Sequence, residues 1–245
     1  MQRPDGRKPQ DMRPIRITPG FIKKALGSAL VEFGETRVIC TAMLDEKVPP
    51  FLKDSGRGWL TAEYAMLPAS TPERKPRDGI RQDSRSTEIQ RLIGRSLRSV
   101  MDFYRLGERT LFIDCDVLDA DGGTRTAAIT GAFVALVMAV DKLIQKGLIT
   151  KSPVCSYVAA VSAGLYEDVP CLDLCYTEDS KAEADMNMVM TDELKLIEIQ
   201  GTGERRPFSK AEMDILIELA SEGITELINV QKAALGGLTK LVGGD

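Results

Sequence analysis

The amino-acid sequence predicts an α+β protein in which mixed β-sheets pack against helices. Segments with a strand pattern come in groups separated by single helical segments, without the regular alternation that a doubly wound parallel sheet requires. Each half of the chain contains a strand group followed by a helix, which suggests a weak internal two-fold repeat. With 245 residues, 43% hydrophobic and 28% charged, the chain has the size and composition of a globular protein with a substantial core.

A group of strands opens the chain. Apolar residues alternate with polar ones, and the Gly34-Glu35 turn connects two of the segments as a hairpin. Residues 67–84 lack both patterns and are rich in Pro, Gly and charge, so we expect a long functional or disordered loop there. The strands are predicted at residues 15–18, 29–33, 36–44 and 58–66.

The remaining elements include three helices. Apolar residues at helical spacing predict a helix from Arg85 to about residue 106, and a nearly continuous apolar run predicts a buried helix that ends near residue 140. A third helix follows Ser209, which has Glu212 in the position that completes a capping box. We expect one domain over residues 1–236 and a disordered tail over residues 237–245. Further strands are predicted at residues 110–118, 154–165, 171–177, 185–190 and 195–200.

Composition excludes several kinds of active site. The sequence contains no histidine, which rules out a Ser-His-Asp triad, a Cys-His pair and other mechanisms that depend on imidazole. The five cysteines, an odd number set mostly in apolar segments, are expected to be reduced core residues of a cytoplasmic protein. The polar N-terminus does not resemble a signal peptide, and no uninterrupted apolar run reaches the roughly 20 residues of a membrane span, so we expect no membrane partner.

The most informative segment is Asp121-Gly-Gly-Thr-Arg-Thr126, directly before the predicted buried helix. A helix N-terminus presents free N–H groups and a partial positive charge, which together attract an anion. The hydroxyl of Thr124 and the guanidinium of Arg125 would match the geometry of a phosphate bound there. The alternative is a glycine turn in which Thr124 caps the helix.

Two carboxylates form the second candidate site. Asp179 is predicted to end one strand and Asp185 to begin the next, so a short turn would bring both side chains together. Paired carboxylate oxygens suit Mg²⁺, which keeps water molecules for exchange with a phosphate substrate. The alternative is structural, because Ser180-Lys-Ala-Glu183 has the pattern of a capping box and acidic turns are common.

Basic residues predict a third candidate site, for nucleic acid. Residues 1–109 hold 21 Lys and Arg against 14 Asp and Glu, whereas residues 110–245 hold 11 against 22. Within the basic part, Arg85 opens the predicted helix and could join Arg125 in a clamp for an anion. The other basic residues suit contacts to RNA phosphates, although a solvated helix face and loop is the more frequent explanation of such charge runs. They are Arg74, Lys75, Arg77 and Arg81 in the loop and Arg91, Arg95 and Arg98 on the helix.

Six motifs resemble the bacterial ribonuclease PH family, in order and at the expected spacing over residues 1 to about 236. The resemblance implies the β-α-β fold of that family. The chain departs from the family pattern around Arg85, which lies between two serines where Gly-Arg-Thr is expected, and at residues 201–206, which are more basic than usual. The motifs are RPDGR from Arg3, GWLTAEYAMLP from Gly58, EIQRLIGR from Glu88, DCDVL from Asp114, DGGTRT from Asp121 and EDSKAEADMN from Glu178.

The resemblance also implies an activity. Members of the family are phosphorolytic 3′→5′ exoribonucleases that use inorganic phosphate to trim tRNA precursors and other structured RNA 3′ ends. They release nucleoside diphosphates, catalyse the reverse nucleotidyl transfer, and assemble as homohexamers, each a trimer of dimers. The implied roles are phosphate binding by Arg85, Gly123, Thr124 and Arg125, Mg²⁺ (or Mn²⁺) binding and catalysis by Asp179 and Asp185, and tRNA binding by the loop around Arg74 and Arg77.

Two other classes of protein stay open at this point. One is a non-catalytic RNA-binding subunit of a ring assembly, and the other is a phosphorylase of small nucleosides. The joint presence of an arginine clamp and a carboxylate pair favours the exoribonuclease over the non-catalytic subunit. A small-molecule phosphorylase would leave the arginines of the loop without a role.

Overall fold

A computed structural model describes residues 3–77 and 84–244. Within these residues the chain forms two β-sheets, five α-helices and two short 3₁₀ helices, at Pro50–Leu52 and Gly236–Leu241. The strands are β1 (Ile15–Pro19), β2 (Gly27–Phe33), β3 (Thr36–Asp45), β4 (Trp59–Met66), β5 (Thr110–Asp119), β6 (Val158–Tyr166), β7 (Val169–Leu172), β8 (Ala184–Thr191) and β9 (Leu196–Thr202). The helices are α1 (Ser84–Arg98), α2 (Phe103–Leu106), α3 (Thr124–Gln145), α4 (Tyr176–Asp179) and α5 (Lys210–Leu235).

The two sheets differ in strand direction. The first has the order β1-β2-β3-β5-β4, in which neighbours are antiparallel except for the parallel pair β4 and β5. The second has the order β7-β6-β8-β9 and is antiparallel throughout. The hairpin predicted at Gly34-Glu35 is β2–β3, and β6–β7 and β8–β9 form two further antiparallel pairs. The predicted α+β class with mixed sheets is confirmed.

Helix α3 lies between the two sheets and forms the centre of the core. It contacts β2 and β3 on one side and β6 on the other, which explains why its sequence is apolar on most faces. Gly27 permits the close approach of β2, because a Cβ atom there would lie 1.9 Å from the carbonyl oxygen of Ala135. Among the described residues α3 is also the one helix long and apolar enough to cross a membrane, but 78% of its most apolar window is buried inside the protein. It is therefore a core helix.

The outer helices complete the packing around this core. Helix α1 packs against β4, and α5 covers β6 and β7. Gln231 of α5 is buried and donates hydrogen bonds of 2.9 Å to the carbonyl oxygens of Thr130 and Val158, which ties α5 to α3 and β6. One hydrophobic cluster contains side chains from both sheets. We propose on this ground that the chain folds as the single domain expected from its sequence.

The helix predicted from Arg85 to residue 106 is two helices in the structure. Helix α1 ends at Arg98, and Met101 then forms an isolated β-bridge with Val154. Asp102 begins α2, since its carboxylate accepts a hydrogen bond of 3.0 Å from the N–H of Tyr104. This cap and the bridge override the helical spacing of the apolar residues.

Two further predictions were wrong. The strand predicted at residues 171–177 ends at Leu172, and the chain turns into α4 from Tyr176. Part of the tail predicted to be disordered is a 3₁₀ helix, because Leu238 and Leu241 pack against the hydrophobic core. In the predicted loop, residues 67–77 contain no strand or helix, and the part that holds Arg81 lies outside the described residues.

Candidate active site

A cavity of about 560 Å³ brings together four residues assigned from the sequence to phosphate and metal. Arg85 comes from the start of α1, Arg125 from the start of α3, Asp179 from the end of α4 and Asp185 from the start of β8. Elements that are far apart in the sequence therefore converge on one site. The other lining residues are Glu88, Ser180, Ala182, Glu204 and Arg205.

Backbone conformation and close packing explain the two glycines in the turn before α3. Gly122 and Gly123 have φ angles of 74° and 65°, in the left-handed region. A Cβ atom on Gly122 would lie 2.6 Å from the carbonyl oxygen of Leu174, so the turn packs tightly against the segment before α4. Gly123 is the N-cap residue of α3, and within the described part of the chain no side-chain cap hydrogen bond occupies the first N–H groups of the helix. These donors suit an anion, and the alternative that Thr124 caps the helix is wrong.

Two of the predicted phosphate ligands do not line the cavity. Thr124 is buried, and its hydroxyl lies 2.8 Å from the hydroxyl of Tyr64. Gly123 offers only backbone groups, since its side chain is a hydrogen atom. Any contribution of Gly123 and Thr124 to phosphate binding would therefore come from the N–H groups at the start of α3.

Arg125 is held at one nitrogen by two residues that sequence analysis missed. Its Nη1 donates hydrogen bonds to Oε1 of Gln200 at 2.8 Å and to Oε1 of Glu88 at 3.3 Å. Gln200 in turn donates from Nε2 to the same Glu88 oxygen at 2.9 Å. Among the described residues, Nε and Nη2 of Arg125 have no partner, which leaves one edge of the guanidinium for bidentate bonds to a phosphate.

A buried ion pair fixes the glycine turn. Arg13 donates from Nε and Nη2 to the two carboxylate oxygens of Asp173, at 2.9 and 2.6 Å. The same guanidinium donates to the carbonyl oxygens of Asp121 and Gly122, and the hydroxyl of Thr36 donates to the Gly122 carbonyl at 2.7 Å. The position of the turn therefore depends on residues outside the segment from Asp121 to Thr126.

A second buried ion pair holds α4, the helix that ends in Asp179. Arg3 donates from Nε and Nη2 to the two oxygens of Glu178, at 2.6 and 2.7 Å, and both side chains are almost fully buried. Burial alone would raise the pKa of Glu178, but the hydrogen bonds from Arg3 and from the N–H of Cys175 lower it. The capping box of this region uses Cys175 and Glu178, not the Ser180–Glu183 pattern considered from the sequence.

The two aspartates of the cavity repel each other. Asp179 ends a short helix and not a strand as predicted, yet it lines the same cavity as Asp185. Burial raises the pKa of Asp185 to about 6, helped by the negative charges of Asp179 and Glu204 and opposed by Arg125. Burial also raises the pKa of Asp179, against the lowering effect of Arg85 and Arg125.

The chemistry of these carboxylates fits a hard divalent cation. A cation would relieve the repulsion that raises the pKa of Asp185, and carboxylate oxygens are the ligands that Mg²⁺ prefers. Within the described residues, no three His, Cys, Asp or Glu side chains form a cluster that could hold a metal ion. The arrangement fits an open site in which Asp179 and Asp185 contribute and water or phosphate oxygens complete the coordination.

The basic residues predicted to bind RNA are in different environments. Arg74 and Arg77 are exposed in the loop, Lys75 is half-buried, and Arg91 is exposed on α1. Arg95 forms an ion pair of 2.6 Å with Glu198. Arg98 lies over the ring of Trp59 at 4.8 Å and donates to the carbonyl oxygen of Leu60 at 3.0 Å. The arginines of α1 therefore do not form one uniform basic face.

Comparison with known proteins identifies the class. Residues 11–140 match the family described as 3′ exoribonuclease family, domain 1, and residues 156–223 match domain 2 of the same family. The chain belongs to the 3′ exoribonuclease family. A protein named Ribonuclease PH, from Syntrophomonas wolfei subsp. wolfei (strain DSM 2245B / Goettingen), is 57% identical over 238 residues, which cover 96% of this chain and 100% of that protein.

Solved structures share the fold at low sequence identity. A chain of the structure titled archaeoglobus fulgidus exosome with RNA bound to the active site has a TM-score of 0.81 and 23% identity, over 93% of this chain and 92% of that one. Rice (Oryza sativa) Rrp46 has a TM-score of 0.78 and 20% identity, over 95% of this chain and 100% of that one. At these identities the likeness concerns the fold alone.

Loss of the ion pair between Arg13 and Asp173 should destabilise the folded protein. We expect Arg13→Met to reduce the free energy of unfolding by about 3 kcal/mol, because the buried carboxylate of Asp173 loses its closest partner and keeps only a longer ion pair of 3.6 Å with Arg7. Urea unfolding measures the change. Arg16→Met is the control, since Arg16 is 77% exposed and 3.8 Å from Glu32, and it should have little effect. Equal losses in both variants would contradict the role of the Arg13 pair.

Replacement of Asp185 should stabilise the fold in a pH-dependent way. The folded state binds the Asp185 proton more tightly than the unfolded state, so this group lowers stability as pH rises from 3.8 to about 6. We expect Asp185→Asn to raise the melting temperature at pH 7.5, without added metal or phosphate, by about 3 °C. Thermal unfolding should show this gain shrinking to nothing as pH falls below 4. A gain that did not change with pH would refute the electrostatic cause.

Proposed function

We propose that this protein is a phosphorolytic 3′→5′ exoribonuclease that trims the 3′ ends of tRNA precursors and releases nucleoside diphosphates. The observation that supports this best is the convergence of Arg85, Arg125, Asp179 and Asp185 on one cavity beside the N-terminus of α3. Inorganic phosphate is already an anionic nucleophile at neutral pH. A phosphorolytic site therefore needs no histidine, and this chain has none.

In the proposed mechanism, Arg85, Arg125 and the first N–H groups of α3 hold inorganic phosphate. An oxygen of this phosphate attacks the phosphorus of the last phosphodiester, and the bond to the 3′-oxygen of the preceding nucleotide breaks. The terminal nucleotide leaves as a diphosphate, and the shortened RNA recovers a 3′-hydroxyl. The arginines lower the barrier because they neutralise charge on both phosphate groups and align them.

The carboxylates would serve the leaving group. Asp179 and Asp185 would hold Mg²⁺ or Mn²⁺, which when bound offsets negative charge on the reacting phosphates. The alternative role applies when no cation is bound: a protonated carboxyl group of this pair would then give its proton to the departing 3′-oxygen, and the raised pKa of Asp185 favours it as that group. In the reverse reaction the same group accepts the proton from the attacking 3′-hydroxyl.

We extend the proposal to the assembly and the cell. The related fold occurs in structures titled as an exosome with RNA bound to the active site and as an archaeal exosome core. By analogy, this chain would form a homohexameric ring, a trimer of dimers, with the loop that carries Arg74 and Arg77 near an RNA entrance. Four of its five cysteines are buried and all are free, which suits a reducing cytoplasm.

One incubation tests the activity. The protein is mixed with a 3′-extended tRNA and Mg²⁺, with or without inorganic phosphate, and the released nucleotides are separated. Nucleoside diphosphates formed only with phosphate are the expected result. Monophosphates formed without phosphate would mean hydrolysis, and RNA that is bound but not shortened would mean a non-catalytic ring subunit.

Arg125 should be required for the use of phosphate. We expect Arg125→Ala to lower kcat/KM for phosphate by about 100-fold or more, because the variant lacks a preorganised donor to the attacking group. Filter binding of tRNA in the absence of phosphate should change little. Arg37→Ala, which removes an exposed arginine paired with Asp119, is the control and should keep normal rates. An Arg125→Ala enzyme with an unchanged KM and kcat for phosphate would refute the assignment.

The loop arginines should matter for long RNA only. Replacing both Arg74 and Arg77 by Ala removes two exposed charges, so we expect binding of tRNA to weaken by about tenfold while trimming of short oligomers is nearly unchanged. Replacing Lys23 and Lys24, an exposed pair elsewhere, controls for the loss of charge. Equal losses on tRNA and on short oligomers would argue that the loop has a structural role.

A further inference from the structure

Residues 201–206 form a basic segment that the proposed mechanism does not use. Strand β9 ends at Thr202 and α5 begins at Lys210, and the segment between them includes the exposed residues Glu204 and Arg205. Glu204 and Arg205 line the cavity, whereas Arg206 does not. The two neighbouring arginines therefore have different surroundings, which can be compared directly.

Arg206 pairs with carboxylates inside the protein. Its guanidinium forms ion pairs of 2.8 Å with Asp168 and with Glu212. Glu212 also accepts hydrogen bonds from the N–H and the hydroxyl of Ser209, the residue that caps α5. The charge of Arg206 is therefore committed to the start of this helix.

Arg205 has a fixed backbone and a largely uncommitted side chain. Its N–H donates to the carbonyl oxygen of Glu183 at 3.0 Å, which anchors the residue beside β8. The guanidinium makes one long hydrogen bond, of 3.4 Å, to the carbonyl oxygen of Ser180. It forms no ion pair with a carboxylate in residues 3–77 or 84–244, although a guanidinium carries five N–H donors.

The position of Arg205 separates it from the proposed phosphate clamp. Arg85 and Arg125 project from the starts of α1 and α3, whereas Arg205 contacts Ser180, the residue that follows Asp179. An anion bound by Arg205 would therefore lie near Ser180 and Asp179, and we take it to be a different group from the attacking phosphate. An RNA chain that ends in this cavity presents such an anion, because each nucleotide adds a phosphodiester.

We propose that Arg205 binds a phosphodiester of the RNA strand at the mouth of the cavity, on the side of Asp179 and Asp185. The inference rests on the proposed function, since it assumes that an RNA 3′ end enters the cavity. Arg205 would offset the negative charge of the carboxylates that line the same cavity and would otherwise repel the incoming strand. It positions the strand and leaves the attacking phosphate to Arg85 and Arg125.

The test compares Arg205→Ala and Arg205→Lys with the unmodified protein. Binding of a short single-stranded oligoribonucleotide is measured by fluorescence anisotropy with Mg²⁺, without phosphate, over a series of salt concentrations. We expect Arg205→Ala to weaken binding about fivefold and to reduce the slope of log K against log salt by about 0.7, the value for one phosphate contact on a single strand. Arg205→Lys keeps the charge and should keep most of the slope. Arg16→Ala, which removes an exposed arginine from β1, should leave the slope unchanged.

Steady-state kinetics provide the second readout. Arg205→Ala should raise KM for RNA with little change in KM for inorganic phosphate. An unchanged salt slope, or a rise in KM for phosphate as large as that for RNA, would overturn the proposal. Failure of the proposed function would look different, because the unmodified protein would then release no nucleoside diphosphates while its binding of RNA could still be compared with that of the variants.

Discussion

The buried ion pair between Arg13 and Asp173 is the interaction on which the geometry of the active site depends. Asp173 lies between β7 and α4, whereas the guanidinium of Arg13 also bonds to the carbonyl oxygens of the glycine turn before α3. Burial opposes the charge of Arg13, but the hydrogen bonds that Arg13 donates to Asp173, together with the negative charge of Asp173, raise the pKa of Arg13 and keep it charged. Because both carboxylate oxygens of Asp173 accept hydrogen bonds from Arg13, the pair fixes the glycine turn relative to the segment before α4 without a large penalty from an unpaired charge.

In the site itself, by contrast, negative charges lie close to one another and repel. Asp179, Asp185 and Glu204 line one cavity, and their mutual repulsion adds to the cost of burial that raises the pKa of Asp185. A fold selected for stability alone would separate or neutralise such groups. Their retention makes sense if substrates and a cation bring the compensating charges, so that part of the stability of the site is supplied only when the reaction components are bound.

Local sequence patterns predicted most of the fold. The alternation in β2 and β3, the apolar length of α3 and the capping box of α5 all act over a few residues, and each was found where expected. Long-range contacts decided the rest. The bridge from Met101 breaks the predicted first helix, and the pairing of Arg3 with Glu178 joins residues 175 positions apart. Four of the seven charged residues that line the cavity were assigned to the site from spacing and resemblance. Arg13, Gln200 and Glu204 were not assigned, because their roles arise only from tertiary contacts.

The number and sequence positions of basic residues therefore do not predict where an acidic protein can bind RNA. The net charge is −4, and several arginines are already neutralised within the fold: Arg95 by Glu198, and Arg206 by Asp168 and Glu212. An arginine contributes to the local potential that RNA meets when its guanidinium is exposed and lacks an internal carboxylate partner. Arg205 meets that condition at the mouth of the cavity, although the adjacent Arg206 would be indistinguishable from it in the sequence. The contribution of each arginine to RNA binding is thus set by the carboxylates that the fold places beside it.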